Sequence, residues 1–339
     1  MERPLAPQAQ IVSYILTVTL NASIDTTLTV PVLKPGAAYT AHDVVRQPGG
    51  KGLNVARVLH QLDAPVRASG LAGDPVASAI IAGLHQEGIP CRFLPIGAPS
   101  RACHAIVELD RHRATKVDEE GPEITSAEAG AYLDLFAGLL HDARMVALCG
   151  SLPPGLPDDY YALLLARAQA AGVPAVVDTS GAALGPAVAA QPLLVKPNRE
   201  EAETLVGAPV RSIADAVDAG LLIRGRGARM VAVSLATEGA VLVTGSGAWQ
   251  ARAAVQVPLN TVGSGDSFVA GFCSVLDAAV ESGECATLDA AATHEDVALR
   301  ALIMATACGA ANTQTLGAGA IRRDDVVELA ATVIVTPLS

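Results

Sequence analysis

The sequence predicts an α/β protein built on a parallel sheet, and three observations carry that expectation. Apolar residues make up 51% of the 339 and aromatics only 3%. The core must therefore be Ala, Val, Leu and Ile, as in parallel sheets covered by Ala-rich helices. Short β-branched runs alternate with segments of helical spacing along most of the chain. Two β-rich patches, about 21–45 and 103–117, break that alternation and are expected to pair as a small sheet beside the main one. The length suits one large domain with an appendage, or two modest domains.

The segment 12–20, VSYILTVTL, is rich in β-branched residues and reads as a first, buried strand ending at Asn21. From there to Val45, TTLTVPVL and DVV are separated by KPG, a turn signal between short strands. Gly52–Leu62 and Pro75–Glu87 have helical spacing, and Met145–Cys149 is a short buried strand. Asp158–Ala171 is an amphipathic helix stopped by Gly172. Strands follow at Ala175–Val177, Leu193–Val195, Met230–Ser234 and Ala240–Val243, and Ala286–Ala301 reads as helix with a loop. Strand, helix, strand at this spacing implies right-handed crossovers and a parallel sheet. Ligands then bind beyond the carboxyl ends of the strands, where the turns at Asn21, Gly150, Asp178, Lys196 and Ser234 gather.

A formal net charge of -11 argues against general affinity for nucleic acid or anionic membranes and points to small-molecule partners. The six cysteines form no CxxC pair, which favours reduced thiols over disulfides or zinc. No apolar run reaches the roughly 20 residues of a membrane span, and MERPLAPQAQ lacks the order of a signal peptide. The expectation is a cytoplasmic protein with a flexible leader over residues 1–12. His42, His60, His85, His104, His112, His141 and His294 show no HxxxH or HxH spacing, so no histidine is expected in catalysis or metal binding.

The most informative string is 260–272, NTVGSGDSFVAGF. Its two glycines, Gly263 and Gly265, stand at the mouth of an expected helix, where free N–H groups and the macrodipole attract anions. Asp266 repels an anion unless it has work to do, and a positioned carboxylate accepts a proton from a hydroxyl attacking a phosphoryl group. Taken alone, the string equally fits an Asp that merely caps the helix.

Four further strings bear on that choice. PGGKGLNVARVL sets Gly49, Gly50, Lys51 and Gly52 before a second helix. With Asn54, Lys51 is suited to sugar hydroxyls or a phosphate, or the string is a Gly-rich turn with a solvated Lys51; the Lys-Gly order departs from a Walker P-loop. Asp25 follows the first strand, where it accepts sugar hydroxyls or closes an Asx turn. Arg101 suits a bidentate phosphate contact or an ordinary surface position. In VKPNREEAETLVG a strand ends at Lys196 and a helix begins near Asn198. Asn198 and Glu201 sit three apart, placed either for a hydrated Mg²⁺ with nucleotide phosphates or as a capping pair. VAVSLATEG, at 231–239, is a strand and turn suited to lie under a nucleotide.

Together, TLNASID, GGKGLNVARVL, GSLPPGL, DTSGAAL, VKPNREE and TVGSGDS stand in an order that resembles the ribokinase-like family of carbohydrate kinases. Within it the order resembles the hexose-phosphate kinase branch, which includes 1-phosphofructokinase and tagatose-6-phosphate kinase. The resemblance covers nearly the whole chain. It implies a three-layer α/β sandwich with a central, mostly parallel sheet and a small β-sheet lid. The core would comprise 13–24, 46–100 and 119–339, and the lid 25–45 and 101–118, the lid pairing two subunits as a homodimer.

By the same resemblance Asp266 is the base, and the amides of Gly263, Ser264 and Gly265 form the anion hole. Asp25, Gly49, Gly50, Lys51, Asn54 and Arg101 hold the sugar phosphate, with Lys51 and Arg101 near its phosphate. Lys196, Asn198, Glu201, Ser234, Gly239 and Thr261 serve Mg²⁺-ATP, with Asn198 and Glu201 reaching the metal through water. The implied reaction is ATP-dependent phosphorylation of a ketohexose monophosphate, first of all fructose 1-phosphate to the 1,6-bisphosphate. Tagatose 6-phosphate and fructose 6-phosphate are the alternatives.

Departures from the family pattern are Ala22 for proline, Ser264 for alanine, and Ala236 for a glycine in SLATEG, where crowding of the nucleotide-side backbone is expected. A non-catalytic sugar-phosphate sensor is disfavoured because the Asp, glycine and Asn/Glu positions are all kept. A nicotinamide oxidoreductase is disfavoured because no GxGxxG follows the first strand.

Overall fold

Why the first strand is so apolar is explained by its place in the fold. In the computed structural model, which describes residues 13–111, 113–254 and 258–338, β1 (Tyr14–Thr19) is buried along its whole length. It pairs in parallel with β4 (Val66–Gly73) on one side and β8 (Ala143–Cys149) on the other. The expected leader, 1–12, and His112 lie outside the described residues.

The main sheet has ten strands in the order β14-β13-β12-β11-β10-β9-β8-β1-β4-β5. The remaining members are β5 (Cys91–Ile96), β9 (Ala175–Asp178), β10 (Leu194–Val195), β11 (Met230–Ser234), β12 (Ala240–Val243), β13 (Ala248–Arg252) and β14 (Ile334–Leu338). Alternate residues feed opposite faces, as the strand period demands: Ile15 joins one core cluster, Leu16 and Val18 the other.

On the first face lie α1 (Lys51–Gln61), α2 (Val76–Gln86), α8 (Ser264–Glu281), α9 (Leu288–Thr293) and α10 (Glu295–Asn312), with α11 (Arg323–Ala330) at its margin. On the second lie α3 (Ser126–Leu139), α4 (Tyr160–Ala170), α5 (Leu184–Ala189), α6 (Arg199–Val206) and α7 (Ile213–Gly225). Three layers result, as the resemblance implied. The Ala-rich segment near residue 286 divides at His294 into α9 and α10.

One edge corrects the sequence reading. Ala240–Val243 was expected in the parallel series, yet β12 runs antiparallel to β11, and β13 and β14 continue antiparallel. Only the turn 235–239 separates β11 from β12, far short of the dozen or so residues a parallel crossover requires.

The second sheet has four strands in the order β3-β2-β6-β7, comprising β2 (Ser23–Val30), β3 (Val44–Gly49), β6 (Arg101–Glu108) and β7 (Arg113–Asp118). The two β patches do pair, β2 lying parallel to β6, and the first patch extends past Val45 to Gly49. Its register sets Gln47, Asp25, Cys103 and Asp118 in one cross-strand row beside the carboxyl end of β1.

Candidate active site

The helix mouth read from NTVGSGDSF forms as expected, but Asp266 does not cap it. The N-cap is Gly263 in a left-handed conformation (φ 85°), and no side chain caps the helix. A Cβ on Gly263 would stand 2.6 Å from the Gly319 nitrogen and 2.9 Å from Ala318 Cα, so only glycine fits this turn. Asp266 is the third residue of α8, and its first turn carries the helix's positive end. The Ser264 hydroxyl turns away and donates to the Gly309 carbonyl at 2.8 Å, tying α8 to α10.

Asp266 is buried, and its Oδ2 accepts a hydrogen bond from Asn54 Nδ2 at 2.8 Å. Burial pushes its carboxyl up, Lys51 pulls it down, and Asp178 pushes it up again, leaving it raised to about 6. A carboxylate with that value is a ready proton acceptor at neutral pH.

The second glycine string opens α1, whose Asn54 and Lys51 reach the same place. Gly50 starts α1 with φ 108°, and Gly49 lacks a Cβ where the Asp25 carboxylate lies, 2.0 Å from the position a Cβ would take. Asp25 accepts from the Ser23 hydroxyl at 2.6 Å, and burial raises its carboxyl above the ordinary range. Arg101 lies opposite Ser23 in the register. Its guanidinium donates to the backbone carbonyls of Asn21, at 3.3 Å, and Glu119, at 3.1 Å, so it is anchored between the end of β1 and the segment after β7.

Lys51 Nζ donates to Asp178 Oδ1 at 2.9 Å, and Lys196 Nζ stands 3.3 Å from Asp178 Oδ2, off hydrogen-bonding alignment. Asp178 is 1% exposed, which makes it the buried hinge between the two lysines. Burial raises its carboxyl, and Lys196 and then Lys51 more than reverse that, holding it below the ordinary carboxylate range. Burial works against the charge on Lys51, but Asp178 and Asp266 outweigh it and raise its ammonium above the ordinary value. A Cβ on Gly265 would lie 3.1 Å from Lys196 Nζ, so this ammonium sits over the helix mouth. The site is thus a buried carboxylate beside two cations and a helix N-terminus that no side chain caps. Such a combination is able to accept a proton on one side while it neutralises an anionic group on the other.

Asn198 and Glu201 form the capping pair weighed as their alternative role: Asn198 Oδ1 accepts from Glu201 N at 2.9 Å, and Glu201 Oε2 accepts from Asn198 N at 2.8 Å. That pairing leaves room for the second role, since Asn198 is exposed and the bond engages Glu201 through Oε2. Asn198 also bridges Ser234, which aligns the ends of β10 and β11. Gly239 has a structural duty, because a Cβ there would strike the Ala251 carbonyl at 2.0 Å. Thr261 is exposed, and its carbonyl accepts the Ser264 amide at 3.4 Å. Neither Gly239 nor Thr261 touches the Asp266 cluster through a described contact. At Ala236 the departure from glycine shows as torsion: its φ is 52°, a left-handed value costly for a residue with a Cβ.

Several residues of the site escaped the sequence reading. Asp178 was noted only as a turn. Arg57, itself bonded to Glu87, holds Asn54, and buried Asn312 clamps the mouth by donating to the Val262 carbonyl at 2.8 Å and accepting from Gly319 N at 2.8 Å. A charged residue inside the apolar stripe of α1 was the available signal for Arg57.

Comparison with known proteins bears on the chemistry. Residues 17–324 match the pfkB family carbohydrate kinases. A 1-phosphofructokinase of Xanthomonas campestris pv. campestris is 37% identical over 278 residues, covering 80% of this chain and 87% of that protein. The crystal structure of phosphofructokinase-2 from Escherichia coli in complex with potassium superimposes with a TM-score of 0.81 at 26% identity, over 94% of this chain and 98% of that one. Ribokinase from Giardia lamblia shares the fold, with a TM-score of 0.75 at 18% identity over 94% and 98% of the two chains. A family match over most of the length, together with a relative this similar, establishes that the chain belongs to the pfkB family of carbohydrate kinases.

Proposed function

We propose that this kinase phosphorylates fructose 1-phosphate to fructose 1,6-bisphosphate, with Asp266 as the general base. Membership in the family makes ATP the phosphoryl donor. The observation that carries the reading is the placement of Asp266, raised to about 6 on the first turn of α8, where the Lys51 string and the Lys196 strand end converge. Asp25 and Asn54 orient the sugar, and Lys51 and Arg101 neutralise its existing phosphate. The sugar's free terminal hydroxyl attacks the γ-phosphorus of ATP, its proton passes to Asp266, and the bond from phosphorus to the β,γ-bridging oxygen breaks with ADP leaving. The amides of Gly263, Ser264 and Gly265, with Lys196 above them, offset the charge on the migrating group. Mg²⁺, held through water by Asn198 and Glu201, would supply charge neutralisation on the nucleotide phosphates.

The small sheet, as a lid over 25–45 and 101–118, covers the sugar side. Val44 and Val117, which share the sheet face opposite Asp25, are 43% and 59% exposed, apolar surface that a second copy covers in a homodimer. The Xanthomonas relative carries the name 1-phosphofructokinase, which favours fructose 1-phosphate. Among the described residues no helix is long and apolar enough to cross a membrane, and all six cysteines are free thiols. A reducing cytoplasm suits both.

The test is ADP release with Mg²⁺-ATP across fructose 1-phosphate, tagatose 6-phosphate and fructose 6-phosphate, comparing kcat/KM. Fructose 1-phosphate is expected to lead, and a higher value for either other sugar overturns that choice. Asp266→Asn should lose at least about a thousandfold in turnover, and near-normal turnover would defeat the mechanism.

A further inference from the structure

Asn54 is aimed at Asp266 by a residue that neither substrate reaches. We propose that Arg57, braced by Glu87, is a positioning residue that locks the Asn54 amide so that its NH₂ points at the catalytic carboxylate. The proposal rests on the reading of Asp266 as the base.

Arg57 is 6% exposed, and five hydrogen bonds leave its guanidinium saturated. Nε and Nη2 donate to the two Glu87 carboxylate oxygens, at 2.8 and 3.1 Å. Nη2 also reaches the Pro48 carbonyl at 2.8 Å, and Nη1 the Ala318 carbonyl at 3.1 Å. The fifth bond runs from Nη1 to Asn54 Oδ1 at 3.0 Å. A guanidinium has five N–H groups and accepts nothing. No donor therefore remains for a substrate, and Asn54 must present its oxygen to Arg57. Its Nδ2 is left facing Asp266 Oδ2 at 2.8 Å. With the amide reversed, a carbonyl oxygen would face a carboxylate and oppose its ionisation.

The same guanidinium joins three segments: the end of β3 at Pro48, the residue that ends α2 at Glu87, and the 318–319 loop against which Gly263 packs. The other charged or titratable groups acting on Asp266 are Lys51 from α1, Asp178 from β9 and Lys196 beyond β10, with the Cys149 thiol of β8 nearby. None of them fixes which end of the Asn54 amide faces the base.

The test follows ADP release with Mg²⁺-ATP and saturating fructose 1-phosphate, as pH profiles of kcat. Arg57→Met should lower kcat on the order of 10- to 100-fold with KM for ATP within about twofold, and move the acid limb up by about one pH unit. Arg57→Lys should recover part of both changes. In an Asn54→Ala background, Arg57→Met should leave the acid limb where Asn54→Ala alone puts it. A folded Arg57→Met enzyme with the wild-type acid limb overturns the proposal, as does an additive shift in that background. If Arg57→Met does not fold, Glu87→Gln decides: a smaller upward shift supports the proposal and a wild-type limb refutes it. Near-normal turnover of Asp266→Asn would sink the functional reading instead, so the two failures are distinguishable.

Discussion

Asn54 Nδ2 and Asp266 Oδ2 meet at 2.8 Å across 212 positions of sequence. The contact joins the helix that starts at the GGKG string to the helix that starts at GSGD, and it brings the elements proposed for sugar binding and for phosphoryl transfer to one carboxylate. That carboxylate is raised to about 6, chiefly by burial. The kcat/KM profile, which reports the free enzyme, should therefore fall through an acid limb near pH 6, about tenfold per pH unit below it. A flat profile between about pH 5 and 8 would contradict the assignment of Asp266 as base.

Burial of Asp266 also costs stability. Its folded value, about 6, exceeds the ordinary 3.8. Its contribution is thus complete below the unfolded value and is lost as pH rises through about 6, by on the order of 3 kcal/mol at most. Asp266→Asn mimics the protonated form. Thermal melts should show it more stable than wild type near pH 8, with the difference shrinking toward about pH 4.

Asp178 has the opposite sign. Held below the ordinary carboxylate range between Lys196 and Lys51, it contributes stability above its unfolded value, and that contribution is lost as pH falls through its lowered folded value. Lys196 is 4% exposed, so Asp178→Ala leaves a buried ammonium unpaired. A loss of about 3–5 kcal/mol in urea unfolding is expected. A loss below about 1 kcal/mol would mean that the lysines find other partners.

Ala236 occupies a left-handed turn with φ 52°. Replacing it with glycine relieves about 1–2 kcal/mol of torsional strain and gives back about 0.4–1 through a looser unfolded chain. Ala236→Gly should therefore stabilise the protein by about 0.5 kcal/mol in denaturant unfolding. A measured destabilisation would show that the turn does not bear that strain.

Gly263→Ala combines a positive φ with a Cβ forced to within 2.6 Å of Gly319 N. The mouth of α8 must shift, and turnover should fall about 100- to 1000-fold, the scale of a lost anion-hole donor. Unchanged turnover in this variant would place the phosphoryl group elsewhere.

Much of the fold was legible because its elements obey local rules. β1 reads as a buried strand from VSYILTVTL, and α1 shows its apolar stripe in GLNVARVL. β4 did not stand out, since VRASGLAG carries two glycines and a serine that weaken the strand signal. The antiparallel edge from β11 to β14 was also hidden, because strand direction depends on the path of the connection and on the partner across the sheet. At Gly239 the empty Cβ position is taken up by the Ala251 carbonyl, a contact no local pattern encodes.

By itself the sequence determined the α/β alternation, the two glycine-bearing helix starts and the identity of the candidate base, because each depends on residues within a turn or two of one another. Tertiary structure alone decided which charges face each other. Lys51 meets Asp178 across 127 positions, Asn54 meets Asp266, and Arg57 selects the end of the amide that faces the base. The reason is physical: burial of an Ala-rich core drives these segments together, and polar groups trapped between them must then satisfy one another. Asp266 is the carboxylate left with a value near 6 when that settlement is complete.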